Sequence, residues 1–252
     1  MAQEQGGKHM TIAEHLEELR SRLLRCLWAV MLGFVICFWR IKEVMLVLQL
    51  PLFPLLMEYP DHLQLIQTRV YGAFAASMKI AFFAGCLLAS PLILQQIWGF
   101  VGSGLYGHER RSLQFYALPG FLLFFAGASM AYFFVLPFAT RFLVEWSLDL
   151  GVDAVLDLSP FVSFIAMGVF VFGLMFQLPL VMVFLMRMGV VKPATFRKYR
   201  RHAIVANVAL AMIVTPPDVL SQLVLAGCMT VLYVGALFVG GRVARPRRET
   251  SE

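Results

Sequence analysis

Charge is scarce in this chain. Asp, Glu, Lys and Arg make up 14% of its 252 residues, against 60% hydrophobic ones. A soluble domain of this length cannot hide so much apolar surface, and a mean hydropathy of +0.77 marks an integral membrane protein. Cysteine is sparse too. Cys26, Cys37, Cys86 and Cys228 all lie inside apolar runs with no CxxC spacing, which argues against a disulfide framework or a metal site. No Walker motif, HExxH or GxSxG is present, so nucleotide, zinc-protease and serine-hydrolase chemistry lack their usual residues. Neither an enzyme nor a cofactor nor a bound metal is expected. The absence of an internal repeat argues against the common repeat-built transporter folds. The net charge of +6 would suggest nucleic acid in a soluble protein. Here the basic residues sit in short tracts between apolar runs, the pattern that sets membrane topology, and no nucleic-acid partner is expected.

What the chain does have is apolar runs at regular intervals. They predict a single all-α domain over 1–252, with an amphipathic helix at 11–24 and six spans, at about 23–41, 71–99, 113–138, 161–186, 203–214 and 219–240. Thr11-Ile12-Ala13-Glu14 fits a capping box, and Ile12, Leu16, Leu19 and Leu23 then recur on one helical face. The run Cys26–Trp39 is short enough for a signal-peptide core. The small residues of a cleavage site are missing after it, so it reads as a retained span flanked by snorkelling Arg25 and Arg40. Residues 40–70 carry Pro51, Pro54 and Pro60 and read as an interfacial cap too broken to span. Residues 140–159 read as a polar excursion, with Glu145, Asp149, Asp153 and Asp157 beside one basic residue, Arg141. Six spans put both termini on one side. That side holds sixteen of the 21 Lys and Arg residues, which predicts cytoplasmic termini.

The stretch Ser90–Arg111, SPLILQQIWGFVGSGLYGHERR, organises the rest. It reads as the end of an apolar helix kinked or stopped at Pro91. It passes Trp98, Phe100 and Tyr106, read as interfacial aromatic anchors, and leaves the apolar phase at His108-Glu109-Arg110-Arg111. A carboxylate at that boundary is unusual, and Glu109 is the first candidate for function. Glu18, on the amphipathic helix, is the second.

Three motifs carry a resemblance to a known family. His15–Leu23, HLEELRSRL, resembles the amino-terminal motif of the TatC family, the polytopic receptor subunit of the twin-arginine protein translocase. Ser90–Arg111 resembles the end of that family's second span and its first cytoplasmic loop. Thr215–Gln222, TPPDVLSQ, resembles the turn between its last two spans. Leu50-Pro51-Leu52 in the outer cap, and Phe74 with Lys79 in span 2, are weaker matches. The chain departs at Ser103, where the family often has proline, and at Gln177, where it usually has a mid-span glutamate.

The resemblance implies a concave six-span bundle in a bacterial inner membrane, binding twin-arginine signal peptides of folded passengers and assembling single-span partners, TatA-like and TatB-like. It implies energy from the proton gradient, self-association, and contact with lipid. Glu18 and Glu109 would each take a signal guanidinium in a charge-assisted pair. The ordinary alternatives are an (i, i+4) pair of Glu18 with Arg22, and a pairing of Glu109 with Arg110 or Arg111. Arg20 would order the site, with a lipid-phosphate contact as its alternative. Phe100, Leu105, Tyr106 and Arg110 would support it from the loop. Gln177 is either a residue lining the concave face or the donor of one interhelical hydrogen bond. Met212, Thr215 and Gln222 would meet the partner subunits, and Pro51 would shape the outer cap. A small-solute transporter using Gln177, Lys79 and Glu109 is the alternative function. A transporter should align its polar groups near the midplane, whereas these gather at the cytoplasmic edge. An intramembrane protease lacks its Ser/His or paired-Asp arrangement.

Overall fold

The computed structural model describes residues 12–60, 63–103, 107–214 and 219–243, with side chains throughout except at 12, 102–103, 107–116, 213–214, 219–221 and 243. The amphipathic helix and the first span are one helix, α1, Ile12–Trp39. The face carrying Leu24, Leu27, Leu32 and Val35 is exposed, the reverse of a soluble helix and the arrangement a lipid-facing span requires.

The partner of α1 is α4, Gly72–Ser103, which runs 32 residues straight through Pro91. The proline neither stops nor ends this helix. Pro91 cannot donate a backbone hydrogen bond to Leu87, one turn back, but the Ser90 hydroxyl donates to the Leu87 carbonyl at 2.7 Å. The freed carbonyl is satisfied locally, as apolar surroundings require. The two helices cross closely at Gly33 and Gly85. A Cβ at Gly33 would lie 2.6 Å from the Gly85 carbonyl oxygen, so only glycine permits this approach.

Between them lies the cap. It comprises α2 (Ile41–Gln49), a 3₁₀ turn over Leu50–Leu52, and α3 (Phe53–Glu58). Pro51 and Pro54 stand at the starts of the last two pieces, where a missing N–H costs nothing. The prolines therefore segment the cap without unwinding it, and Leu48, Leu52 and Leu55 pack into the core.

The all-α expectation misses one feature, a two-stranded parallel sheet. Strand β1, Leu63–Ile66, pairs with β2, Ala154–Asp157, in the register Leu63↔Ala154 through Ile66↔Asp157. Asp157 fastens it: its carboxylate accepts from the Thr68 hydroxyl and from the Ser159 backbone N–H at 3.2 Å. The Ser159 hydroxyl in turn donates to Gln67 at 2.8 Å.

The third span is longer than expected. Helix α5, Gly107–Met130, continues through a π-helical turn, Ala131–Val135, into α6, Leu136–Asp149. The wide turn accommodates Pro137, whose ring would clash in a regular α-helix. Residues 140–149 are thus helical, not part of a loop. Arg141 donates there to Glu145 at 2.6 Å and to Glu58 of α3 at 2.9 Å.

The fourth span is two helices, α7 (Leu158–Met175) and α8 (Gln177–Arg187), broken at Phe176. Pro179 explains the break, since it has no N–H for the Met175 carbonyl four residues back. The chain ends in α9 (Pro193–Lys198), α10 (Arg200–Val214) and α11 (Val219–Val243). Five helical runs among the described residues are long and apolar enough to cross a membrane. The expected fifth span, α10, has 15 residues and rises about 22 Å, short of a hydrocarbon core of roughly 30 Å.

Trp98 corrects a further expectation. It is buried rather than interfacial, packed edge-on to Phe184 at 5.3 Å in a cluster with Leu94, Phe124 and Leu180.

Candidate functional site

His15, Glu18 and Arg22 recur at intervals of three and four, so they share one face of α1. Gln96, Gly99 and Phe100 share one face of α4 by the same rule. The structure turns these faces toward each other at the end of the bundle where α4 stops.

The Arg22 guanidinium is the centre of the junction. Its Nε donates to Glu18 Oε1 at 2.9 Å, and its Nη2 to the same oxygen at 2.6 Å. Its Nη1 donates across to α4, to the Gln96 carbonyl at 3.3 Å and the Gln96 side-chain oxygen at 3.5 Å. Both charged side chains are about four-fifths withdrawn from solvent, at 18% and 19% exposure. Gly99 completes the slot: a Cβ there would collide with the guanidinium. One turn nearer the end of the bundle, His15 stacks on Phe100 with ring centroids 4.6 Å apart. The arrangement holds a carboxylate and an aromatic pair at one helix junction, with a planar cation clamped between two helices. Such a site can bind a guanidinium.

The other expected residues are placed as follows. Arg20 is exposed on α1. Glu109 and Arg110 lie on the first turn of α5; their side chains, and all of Leu105, Tyr106 and Thr215, lie outside the described residues. Lys79 is exposed on α4. Met212 is exposed near the end of α10 and Gln222 is half-buried on the first turn of α11. Pro51 is half-buried in the cap.

Gln177 begins α8, and its amide donates to the Gly120 carbonyl of α5 at 2.7 Å, so the interhelical hydrogen bond is the arrangement found. Its side-chain oxygen is buried with no hydrogen-bond partner. Three residues escaped the sequence reading as parts of a site: His15, Gln96 and Gly99. Glutamine within an apolar helix, followed three residues later by glycine, was the available signal. Among the described residues no group of three His, Cys, Asp or Glu could hold a metal ion.

The fold and this junction define a multi-span helical membrane protein with a cation-binding carboxylate at one end of the bundle. A family model described as Sec-independent protein translocase protein (TatC) matches residues 14–227. The chain is 35% identical to the TatC protein of Azotobacter chroococcum mcd 1, covering 98% of this chain and 95% of that one. It is also 35% identical to TatC of Escherichia coli K12, over 89% of this chain and 86% of the relative. Among solved structures, a crystal structure of the twin arginine translocase receptor TatC is similar with a TM-score of 0.82 and 35% identity, covering 90% of this chain and 99% of that chain. The chain belongs to the TatC family, and it is a component of a Sec-independent protein translocase.

Proposed function

We infer that this chain is the receptor and core subunit of a twin-arginine translocase. Glu18 on α1 and Glu109 at the start of α5 bind the arginine pair of a passenger's signal peptide. The observation that carries this reading is the Glu18 carboxylate, which already holds a guanidinium at the α1–α4 junction. A second guanidinium is the ligand that such a site suits best. Phe100, stacked on His15, stiffens the junction. Arg20, exposed and of the wrong charge for the signal, orders the site through neighbouring groups or lipid phosphate. Arg110, Leu105 and Tyr106 support it from the loop.

The protein acts in a bacterial inner membrane, with both termini cytoplasmic. The excess of Lys and Arg on the side of the termini supports that orientation. Single-span subunits of the TatA and TatB kind assemble on it, with Met212, Thr215 and Gln222 at their contact, and the proton gradient drives export of the folded passenger. The transporter alternative is weaker because its residues do not line a shared path. The Gln177 amide is bonded to Gly120, and Lys79 is exposed on α4.

Photocrosslinkers placed at positions 18 and 109, in the full chain in membrane vesicles, should capture a twin-arginine signal peptide. A peptide with both arginines changed to glutamine should not be captured. Equal capture of both peptides would overturn the reading.

A further inference from the structure

A carboxylate four-fifths withdrawn from solvent at a membrane boundary is costly without a cation beside it. In this chain Arg22 supplies that cation from the next helical turn. The slot around it matches a guanidinium. Glu18 Oε1 accepts two of its N–H groups from one side. The Gln96 carbonyl and side-chain oxygen face a third from α4. At position 99 the absence of a side chain lets the planar group lie against the α4 backbone. A lysine ammonium is a compact point charge and cannot reach both walls.

We propose that Arg22 is a resident placeholder: it fills the guanidinium slot of Glu18, Gln96 and Gly99 until one signal arginine displaces it. Gln96 and Gly99 are then signal-binding residues, and Arg22 sets the threshold for recognition. The proposal rests on Glu18 being a receptor carboxylate. The exchange replaces one guanidinium by another, so Glu18 is never left as an unpaired buried charge, and hydrogen bonds are remade rather than lost. Because Arg22 is on the same chain, it competes at a fixed effective concentration. Only a ligand that brings a guanidinium with further contacts of its own outcompetes it, which favours a pair of arginines anchored on a longer peptide over a single exposed arginine. Arg22 sits on the α1 turn next to Glu18, so it can leave the slot by side-chain rotation, with no movement of either helix.

The test measures equilibrium binding of a synthetic twin-arginine signal peptide to the full chain in membrane vesicles. If Arg22 fills the slot roughly 90% of the time, Arg22→Gln should tighten binding about tenfold, since apparent affinity scales with the fraction of open sites. Gly99→Ala narrows the slot for either guanidinium and should weaken binding both in the original chain and in the Arg22→Gln background. A second measurement needs no variant. Phenylglyoxal labelling read by mass spectrometry should show Arg22 becoming several-fold more reactive when the peptide binds.

Weaker or unchanged binding in Arg22→Gln, with Arg22 still protected in the peptide complex, would overturn the placeholder and make Arg22 a tie between α1 and α4. Glu18→Gln separates the two levels. If it abolishes binding while Arg22 of the unsubstituted chain stays protected in the peptide complex, the receptor reading stands and the placeholder falls. If it leaves binding intact, the receptor reading itself fails.

Discussion

Two of the polar contacts at helix junctions among the described residues differ in how they are held. At the α1–α4 junction, Arg22 meets a side-chain carboxylate, Glu18, from its own helix, and reaches α4 only at 3.3 Å or more. Between α8 and α5, the Gln177 amide meets a backbone carbonyl, Gly120, at 2.7 Å. A backbone carbonyl cannot rotate away, so the second contact is a fixed weld. A carboxylate on a flexible side chain can change partners, and a cation from elsewhere can take the same oxygens. Position adds to the difference. Gln177 lies among Trp98, Leu180 and the Gly120 backbone, whereas Glu18 lies near one end of the bundle with its side chain 19% exposed. The exchangeable contact belongs to recognition, the fixed one to the framework.

The largest expected effect breaks the exchangeable side. Glu18→Gln removes the charge that holds a guanidinium and should weaken signal-peptide binding by about 2–5 kcal/mol, with the protein still inserted; equilibrium crosslinking measures it. Next comes the framework that presents the site. Gly85→Val forces a side chain into the α1 backbone, where even a Cβ would lie 2.6 Å from the Phe34 nitrogen. Such overpacking costs about 1–3 kcal/mol, read as a lower melting temperature in detergent, and signal binding should fall with it.

A smaller effect tests the weld. Gln177→Leu loses one interhelical hydrogen bond but also removes an oxygen that has no partner, so the cost should be about 0.6 kcal/mol and no more than about 1.7 kcal/mol. Signal binding should not change, and a tenfold loss would move Gln177 into the recognition class. Gln177→Glu should cost more than Gln177→Leu, because an ionised carboxylate has no proton to donate to Gly120 and is expensive at that depth. The smallest effect is expected at Arg141→Gln. Its pairs with Glu58 and Glu145 are about half exposed, so thermal stability should change by less than about 1 kcal/mol.

The Glu18–Arg22 pair shows how far the site was legible. Spacing alone puts these residues one turn apart, and the pair is the ordinary alternative to a receptor role. Spacing cannot show that Gln96 and Gly99 close the other wall, because the α4 partner is 74 residues away in the chain. Pro91 makes the same point from the opposite direction. A proline in an apolar run reads as a kink or a stop, and whether the preceding serine turns back to the freed carbonyl is a matter of rotamer. Gln177 was readable as polar and mid-span, but its partner was not.

Composition and periodicity by themselves determined the class. Water rejects long apolar runs and the bilayer accepts them, so the spans, the interfacial cap and the basic side follow from local residue order. Helix ends inside those runs, the β1–β2 pairing and the guanidinium slot were decided only in three dimensions. Each depends on an acceptor, a strand edge or an absent Cβ supplied by a segment far away in the chain, and only packing fixes which distant residues meet.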